Sequence, residues 1–326
     1  MNKRTKIGII GCGWIAEKMA ITLQGMEKVE AYAIASRSMT KAKDFADKWH
    51  FTKAYGSYEE MLDDEKVDLV YIATPHLCHY MQAKHALEHG RHVLCETPLV
   101  LDKGQAEELY ALAEERRLGL LEANKTAFSP AFNRLVSLVK SGVVGEVVSI
   151  DASESKLWDE TRLKRELDPE QAGGSLYEMG SYPLLPIIRL LGVNYKDINI
   201  FSRINDKGVD VYTRGIVRYD KAVASFQLGL GVKTEGNLVI SGTRGYVYVP
   251  SPWWKTDYFE LRYEDQNLNR KYFYSWDEPG LRYEIQEFVS CIVNSRPTSA
   301  RLSPKESICM AGVMQQFTER KNLFEI

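Results

Sequence analysis

Small residues with the spacing of a phosphate-binding turn stand near the beginning of the chain. Gly11, Gly13 and Ala16 form a G-x-G-x-x-A pattern after the apolar run 6–10, and a second apolar run, 31–35, follows one helix length later. In such a unit the first glycine permits a tight turn, and the second lets the backbone approach a pyrophosphate lying on helix N–H groups. The pattern predicts a dinucleotide site. Its predicted residues here are Gly11, Gly13, Trp14 and Ile15.

The end of the second apolar run indicates which dinucleotide is bound. An NAD site usually has an acidic residue here for the ribose 2′-hydroxyl, whereas this chain has Ser36 and Arg37 and no acid before Asp44. A guanidinium can pair with a 2′-phosphate, and a serine hydroxyl can donate to it. The sequence therefore favours NADP(H) over NAD(H); the alternative is that Arg37 is an ordinary solvated arginine.

Three further apolar runs, 67–73, 92–95 and 120–123, each end in polar or turn-forming residues. Stretches with helical spacing separate them, and this alternation predicts a parallel, doubly wound sheet. Ligands of such sheets bind at the carboxyl ends of the strands. The residues predicted to lie along that edge are Thr74, Pro75, His76, His79, Glu96, Thr97 and Lys125. His79 either orients the cofactor loop or makes only a local hydrogen bond, and a metal site is not expected because no third ligand is nearby in the sequence.

The pattern changes after about residue 123. A helix over 130–140 is followed, between 146 and 274, by stretches in which polar and apolar residues alternate, as in an antiparallel sheet with one wet face. Helical patterns over 180–191, 281–294 and 303–320 interrupt or close this sheet. The predicted fold is α/β: a Rossmann domain over residues 1–123 and an α+β domain with a large open sheet over 124–326.

Composition narrows the kinds of partner. The 326 residues carry a net charge of about −2, which gives no reason to expect nucleic acid or an anionic membrane as a partner, and no run of eighteen apolar residues suggests a membrane span. The five scattered cysteines are typical of buried thiols in a reducing cytoplasm, and we expect no leader peptide and no zinc site. A wet sheet face often pairs with another subunit, which predicts a homodimer or homotetramer formed through the C-terminal sheet.

Over essentially its whole length the chain resembles the Gfo/Idh/MocA oxidoreductases, the family of glucose-fructose oxidoreductase and inositol dehydrogenase. The segments that carry the resemblance are 11–16, 35–38, 73–79, 93–99, 141–147, 173–182 and 241–245. The resemblance implies a Rossmann domain joined to a mostly antiparallel domain. It also implies hydride transfer between a nicotinamide and a hydroxyl-bearing carbon of a sugar, polyol or cyclic diol.

The chain departs from this family at the residues that usually manage the proton. Thr97 replaces the lysine of an E-K-P motif, and in D-x-G-x-H/Y the first position is Glu178 and the last is Tyr182. All six histidines lie between residues 50 and 92, so none in the second domain can substitute. The resemblance implies that Tyr182 is catalytic, and the strand-end rule suggests Lys125 as a relocated base. The plainer alternatives are a packed aromatic residue for Tyr182, and a substrate anchor or a surface lysine for Lys125.

Three functions remain open. The chain is a dehydrogenase that uses Tyr182 and Lys125, a sensor that binds NADP(H) and a sugar without turnover, or a redox-neutral epimerase or lyase with a tightly held cofactor. Residues predicted to contact a carbohydrate-like substrate are Thr97, Trp158 and Glu178. A tryptophan face can stack on a sugar ring, although aromatic clusters are more often core. Arg162, Lys164 and Arg165 form a charge run that either meets an anionic substituent or is solvated.

Overall fold

The computed structural model describes residues 4–157 and 165–326, which form two compact units. The first unit contains the described residues up to Val100, then Gly104–Lys125 and Asp277–Pro304. The second contains Leu101–Lys103, the described part of Thr126–Trp276, and Lys305–Ile326. The boundary predicted at residue 123 lies two residues before the chain passes from the first unit to the second at Lys125. The return of residues 277–304 to the first unit was not predicted.

Strands in the described residues form two sheets. In chain order they are β1 (Thr5–Ile10), β2 (Val29–Ala35), β3 (Lys53–Tyr55), β4 (Leu69–Ile72), β5 (His92–Glu96), β6 (Leu120–Ala123), β7 (Val147–Lys156), β8 (Asp197–Ile204), β9 (Asp210–Arg218), β10 (Val223–Leu230), β11 (Leu238–Gly242), β12 (Tyr246–Val249), β13 (Tyr258–Arg262), β14 (Arg270–Phe273) and β15 (Leu323–Glu325).

Helices of the described residues flank these sheets. In chain order they are α1 (Trp14–Gln24), α2 (Met39–Trp49), α3 (Tyr58–Leu62), α4 (His79–Glu88), α5 (Lys103–Glu115), α6 (Lys125–Phe128), α7 (Pro130–Lys140), α8 (Ser175–Met179), α9 (Ser181–Leu191), α10 (Leu281–Val293) and α11 (Pro304–Thr318). None of them is long and apolar enough to cross a membrane.

The first unit is built on a six-stranded parallel sheet with the order β3-β2-β1-β4-β5-β6. Its central strands are buried on both faces, which explains their continuous apolar sequences. Consecutive strands run outward in opposite directions from β1, so the strand order reverses between β1 and β4. This reversal is the position at which doubly wound sheets bind their ligands.

The second unit is built on a nine-stranded sheet with the order β14-β13-β12-β11-β7-β10-β9-β8-β15. Most neighbours are antiparallel, and the β7–β10 and β8–β15 pairs are parallel. Helices α8 and α9 pack against β7, β9 and β10. Side chains alternate between buried and exposed along these strands: Ile200 of β8 is buried, whereas Arg203 is exposed. A cavity of about 510 Å³ lies among residues of this sheet, including the exposed Arg203 and Arg214.

Three helix starts are capped by a serine side chain, whereas among the described residues α1, α4, α8, α9 and α10 begin without a side-chain cap. Ser38, Ser57 and Ser129 each accept a hydrogen bond from a backbone N–H three residues later, which caps α2, α3 and α7. Helix α1 instead begins after Gly13, and no side chain in the described residues caps it. Its first N–H groups therefore point toward the edge of the sheet without a side-chain acceptor.

Candidate active site

The glycine-rich turn joins β1 to α1 at the strand reversal. Gly11 has φ +103°, and a Cβ on it would lie 2.7 Å from the carbonyl oxygen of Ala73 at the end of β4, so only glycine fits. A Cβ on Gly13 would meet nothing within 4 Å, so the space beside it is open. The uncapped start of α1 at Trp14 and Ile15 borders this opening. Open space at an uncapped helix N-terminus suits a pyrophosphate.

The end of β2 carries positive charge beside this turn. Arg37 is exposed, and no carboxylate pairs with it in the described part of the chain. The hydroxyl of Ser36 accepts a hydrogen bond from the N–H of Ser38 at 3.3 Å and also contacts the Cys12 thiol. Lys41 of α2 lowers the pKa of that thiol, although burial dominates and raises it. A second cation, Lys41, therefore lies near Cys12. Arg37 and Lys41 have an R-x-x-x-K spacing after β2, and this spacing could have predicted the second cation.

The segment after β4 is fixed by a buried histidine. The Nε2 of His79 lies 2.8 Å from the carbonyl oxygen of Thr74, and its Nδ1 lies 2.8 Å from that of Pro98. Burial lowers the pKa of His79 to about 4, and the neighbouring His76 adds to this effect, so the ring is neutral at pH 7. His79 thus connects the end of β4 to the segment after β5. The contact with Thr74 is a local one made from within the core, and a role for His79 in orienting a cofactor loop stays a prediction.

The ends of β5 and β6 bring an acid and a base together. Glu96 accepts a hydrogen bond from the hydroxyl of Tyr71 and another from the backbone N–H of Thr97, which precedes a cis peptide bond to Pro98. Burial raises the pKa of Glu96, and the hydrogen bond from Tyr71 and the positive charge of Lys125 oppose that shift. Lys125, at the start of α6, therefore lies within electrostatic reach of Glu96. The strand-end rule placed both residues at the same edge.

These residues fit a nicotinamide dinucleotide. The adjacent strands β2, β1, β4 and β5 supply, in that order, the arginine, the glycine turn, the Thr74 segment and Glu96. A nicotinamide dinucleotide bound here supplies a hydride acceptor or donor. The protein supplies the open helix N-terminus, a cation for a phosphate, and an acid–base pair.

The second unit holds Glu178 in a two-pronged ion pair. Nη1 and Nη2 of Arg165 each lie 2.7 Å from one carboxylate oxygen of Glu178. Such a fork fixes a carboxylate in position. Arg165 is thus engaged within the protein rather than solvated. Tyr182 is the second residue of α9 and is half-buried. Trp158, Arg162 and Lys164 lie outside the described residues.

The glycine-rich segment before Tyr182 is anchored by a residue that the sequence analysis did not single out. The carboxylate of Asp210 accepts hydrogen bonds from the Ser175 hydroxyl at 2.6 Å, the Leu176 N–H at 2.9 Å and the Thr213 hydroxyl at 2.7 Å. Gly174 is required beside it, because φ is +130° and a Cβ would lie 2.0 Å from the Asp210 Oδ1. The Val-Asp-Val sequence around Asp210 looks like an ordinary strand and gave no signal.

Comparisons with known proteins agree with this geometry. Residues 5–122 match the model of an oxidoreductase family with an NAD-binding Rossmann fold, and residues 132–248 match the GFO/IDH/MocA C-terminal domain. The fold and both matches define an NAD(P)-binding oxidoreductase. The chain belongs to the Gfo/Idh/MocA family.

Similar proteins include dehydrogenases of two kinds. The chain is 29% identical over 318 residues to the trans-1,2-dihydrobenzene-1,2-diol dehydrogenase of Bos taurus, covering 95% of this chain and 94% of that protein. It is 29% identical over 315 residues to the scyllo-inositol 2-dehydrogenase (NADP(+)) IolU of Bacillus subtilis, covering 95% of both.

Solved structures share the fold. The 3-ketoreductase KijD10 of Actinomadura kijaniata, in complex with NADP and TDP-benzene, has a TM-score of 0.87, 24% identity and 99% coverage of both chains. A levoglucosan dehydrogenase in complex with NADH and levoglucosan has a TM-score of 0.87, 18% identity and 97% coverage of both chains. The Rossmann unit and the open-sheet unit predicted from the sequence are confirmed.

Proposed function

We propose that this chain is an NADP(H)-dependent dehydrogenase or reductase that acts on a hydroxyl-bearing carbon of a small carbohydrate-like polyol or cyclic diol. The observation that carries the proposal is the arrangement at the strand reversal. There the uncapped α1 and the Gly11 turn lie between Arg37 on one side and Glu96 with Lys125 on the other. The scyllo-inositol 2-dehydrogenase (NADP(+)) IolU supports the class of reaction, because its name pairs NADP+ with a cyclic polyol.

The preference for NADP(H) rests on Arg37 and Lys41, since two cations near the end of β2 favour a 2′-phosphate. A fluorescence titration is expected to show that NADPH binds at least about tenfold more tightly than NADH. Arg37→Gln should remove most of that difference by weakening NADPH binding alone. Equal affinity for both cofactors in the wild-type protein would contradict the preference.

The proton chemistry is assigned to Lys125 and Tyr182. When a hydroxyl-bearing carbon gives up its hydride, the hydroxyl proton must pass to a base, and in the reverse direction an acid must return it. Thr97 cannot take this role because its hydroxyl has a high pKa and carries no positive charge. Lys125 is an ionisable group at the same sheet edge, and Glu178, held by Arg165, supplies a fixed charge on the segment that leads to Tyr182.

The test is steady-state turnover with a panel of inositols, aldoses and cyclic diols, followed by NADPH absorbance. Lys125→Met should lower kcat by about 10²–10⁴-fold and leave the NADPH dissociation constant within a few-fold, because general acid–base catalysis contributes that much. Tyr182→Phe should behave in the same way if the phenol handles the proton. The exposed Lys207→Met is the control. Wild-type turnover in Lys125→Met would overturn the assignment of Lys125.

Thr97 favours a second function, a sensor that binds NADP(H) and a sugar without turnover. Saturable NADPH binding, with no change in NADPH absorbance for any member of the panel, would support this function. Product analysis under those conditions also detects a redox-neutral reaction, in which substrate is converted without net change in the cofactor.

We also propose that the open face of the nine-stranded sheet joins copies of this chain into a homodimer or homotetramer. The exposed Arg203 and Arg214 lie on that sheet beside the cavity. Light scattering should give a mass of two or four chains, and Arg203→Glu with Arg214→Glu should lower it. A monomer at micromolar concentration would contradict this proposal.

A further inference from the structure

Glu284 of α10 is a carboxylate that the fold buries without hydrogen bonds. Its side chain is 0% exposed, and neither Oε1 nor Oε2 has a hydrogen-bond partner in the described residues. Because a buried ionised carboxylate without partners is strongly unfavourable, such a group either holds a proton or is balanced by a nearby charge. Native proteins contain few such groups, and each calls for a physical reason.

The charges nearest to Glu284 belong to the candidate site of the first unit. Burial raises the pKa of Glu284 well above its ordinary value, the carboxylate of Glu96 adds to this, and the positive charge of Lys125 opposes it. Burial raises the pKa of Glu96 in turn, and the Tyr71 hydroxyl, Lys125, the Thr97 N–H and His76 oppose that shift. Three ionisable groups from three elements, namely the end of β5, the start of α6 and α10, therefore act on one another.

Other charged groups on the elements packed against α10 are engaged elsewhere. Helix α10 packs against α1 and β6. On α1, Glu17 forms an ion pair with Lys48, and the ammonium of Lys18 lies over the ring of Trp14. On β6, the Oε1 of Glu122 accepts the backbone N–H of Leu99 at 3.3 Å. Glu96 and Lys125 are thus the partners that matter electrostatically for Glu284.

Glu284 is wholly buried and Glu96 and Lys125 are half-buried, so two carboxylates beside one ammonium cannot both be charged at low cost. With both carboxylates ionised the cluster has a net charge of −1, and two neighbouring carboxylates repel each other. With one proton between them the cluster is neutral. We propose that Glu96 and Glu284 share one proton. The pair then carries a single negative charge, which balances the positive charge of Lys125. Through this balance Glu284 acts as a positioning residue of the candidate site. The role of Glu284 as a positioning residue rests on the proposed function, whereas the shared proton does not.

Thermal unfolding of the cofactor-free protein between pH 5 and pH 9 tests the shared proton. If the folded state keeps a proton on Glu284 that the unfolded chain releases above about pH 4.5, the wild-type protein loses stability as pH rises. Glu284→Gln removes this loss while keeping the volume of the side chain. The Tm of Glu284→Gln minus that of the wild type should therefore increase with pH, by about 3 °C or more between pH 5 and pH 8.

Glu287→Gln is the matched control, because it makes the same change on the same helix. The Glu287 carboxylate accepts the Ser299 hydroxyl at 2.6 Å and lies 3.4 Å from Nε of Arg301, so removing its charge should lower the Tm and not raise it with pH. A Tm difference for Glu284→Gln that stays constant from pH 5 to pH 9 would overturn the proposal, since a purely structural side chain gives a constant difference.

Lys125→Met provides the second arm. Without the cation, Glu96 and Glu284 hold their shared proton more tightly, so the gain of Glu284→Gln at pH 8 should be larger in the Lys125→Met background than in the wild type. An unchanged gain would show that Lys125 does not balance the pair.

NADPH titration and turnover on the same five proteins, namely the wild type, the three single variants and the Glu284→Gln/Lys125→Met double variant, separate this inference from the proposed function. A wild-type protein that neither binds NADPH nor turns over substrate would refute the function, and the pH dependence of the Tm would still report on the pair. In an active protein, loss of the shared proton at alkaline pH adds a negative charge beside Lys125. Glu284→Gln prevents this change, so the alkaline limb of the kcat/KM profile should move to higher pH. An unmoved limb would refute the positioning role.

Discussion

Asp210 and Glu284 are both removed from water, and they differ in what surrounds them. Asp210 is 2% exposed and receives hydrogen bonds from Ser175, Leu176 and Thr213. These hydrogen bonds explain its burial as structural. Glu284 is 0% exposed and receives none from the described residues, while the charges of Glu96 and Lys125 act on it. Burial raises the pKa of both carboxyls, to about 6 for Asp210.

The difference distinguishes a structural acid, Asp210, from Glu284, the acid that we propose influences the candidate site. Three donors are what a fold supplies when a carboxylate must hold a backbone segment, here the glycine-rich turn that precedes Tyr182. A carboxyl group without hydrogen-bond donors does not hold a backbone segment in place. The free energy of its ionisation depends instead on the protonation of neighbouring groups. A shifted pKa alone does not distinguish the two cases, whereas the hydrogen-bond partners do.

Truncation of the structural acid should have the largest effect. Asp210→Ala leaves the Ser175 and Thr213 hydroxyls and the Leu176 N–H without their acceptor, so we expect a loss of about 4 kcal/mol in the free energy of unfolding. Urea unfolding followed by circular dichroism measures it, and Asp206→Ala in an exposed turn is the control. A loss below about 1 kcal/mol would mean that Asp210 does not anchor the turn.

The pH dependence of the structural acid should end sooner than that of Glu284. The pKa of Asp210 is raised to about 6 in the folded protein, so the folded state holds a proton that the unfolded chain releases near pH 4. Wild-type stability relative to Asp210→Asn should therefore fall by about 2–3 kcal/mol between pH 4 and pH 6, and stay level above pH 7. Urea unfolding at four pH values measures this difference. A fall that continues beyond pH 7 would erase the contrast between the two acids.

A methyl group beside the structural acid should have a smaller effect. Gly174→Ala places a Cβ against Asp210 and forces a positive φ on alanine, which we expect to cost about 2 kcal/mol. The same change at Gly208, where φ is also positive and a Cβ would meet nothing within 4 Å, isolates the backbone contribution. Equal losses at both glycines would show that Asp210 does not constrain the turn.

Much of the architecture followed from local patterns. The apolar run predicted as a strand over 120–123 coincides with β6, because a continuous apolar run bounded by turn-forming residues is typical of a buried strand. The three-residue strands β3 and β15 were missed, since three residues are too few to show a period. The strand-end rule also predicted that Arg37 and Glu96 lie at the same edge of the parallel sheet.

Residues whose role depends on tertiary burial were not predictable. Asp210 lies in an ordinary strand sequence and Glu284 in an ordinary amphipathic helix, so nothing in their neighbours along the chain shows that they are buried. The sequence analysis assigned the helix over 281–294 to the second domain, whereas the structure groups α10 with the first unit. That return of the chain is what brings Glu284 to Glu96 and Lys125.

Infrared difference spectroscopy tests the shared proton most directly, because a protonated carboxyl and a carboxylate absorb at different frequencies. The spectrum of the wild-type protein minus that of Glu284→Gln at pH 7.5, where Asp210 is ionised, should contain the carbonyl band of a protonated carboxylic acid. A difference spectrum with carboxylate bands alone would show that Glu284 is ionised at that pH, and would contradict the account of the acid pair beside Lys125.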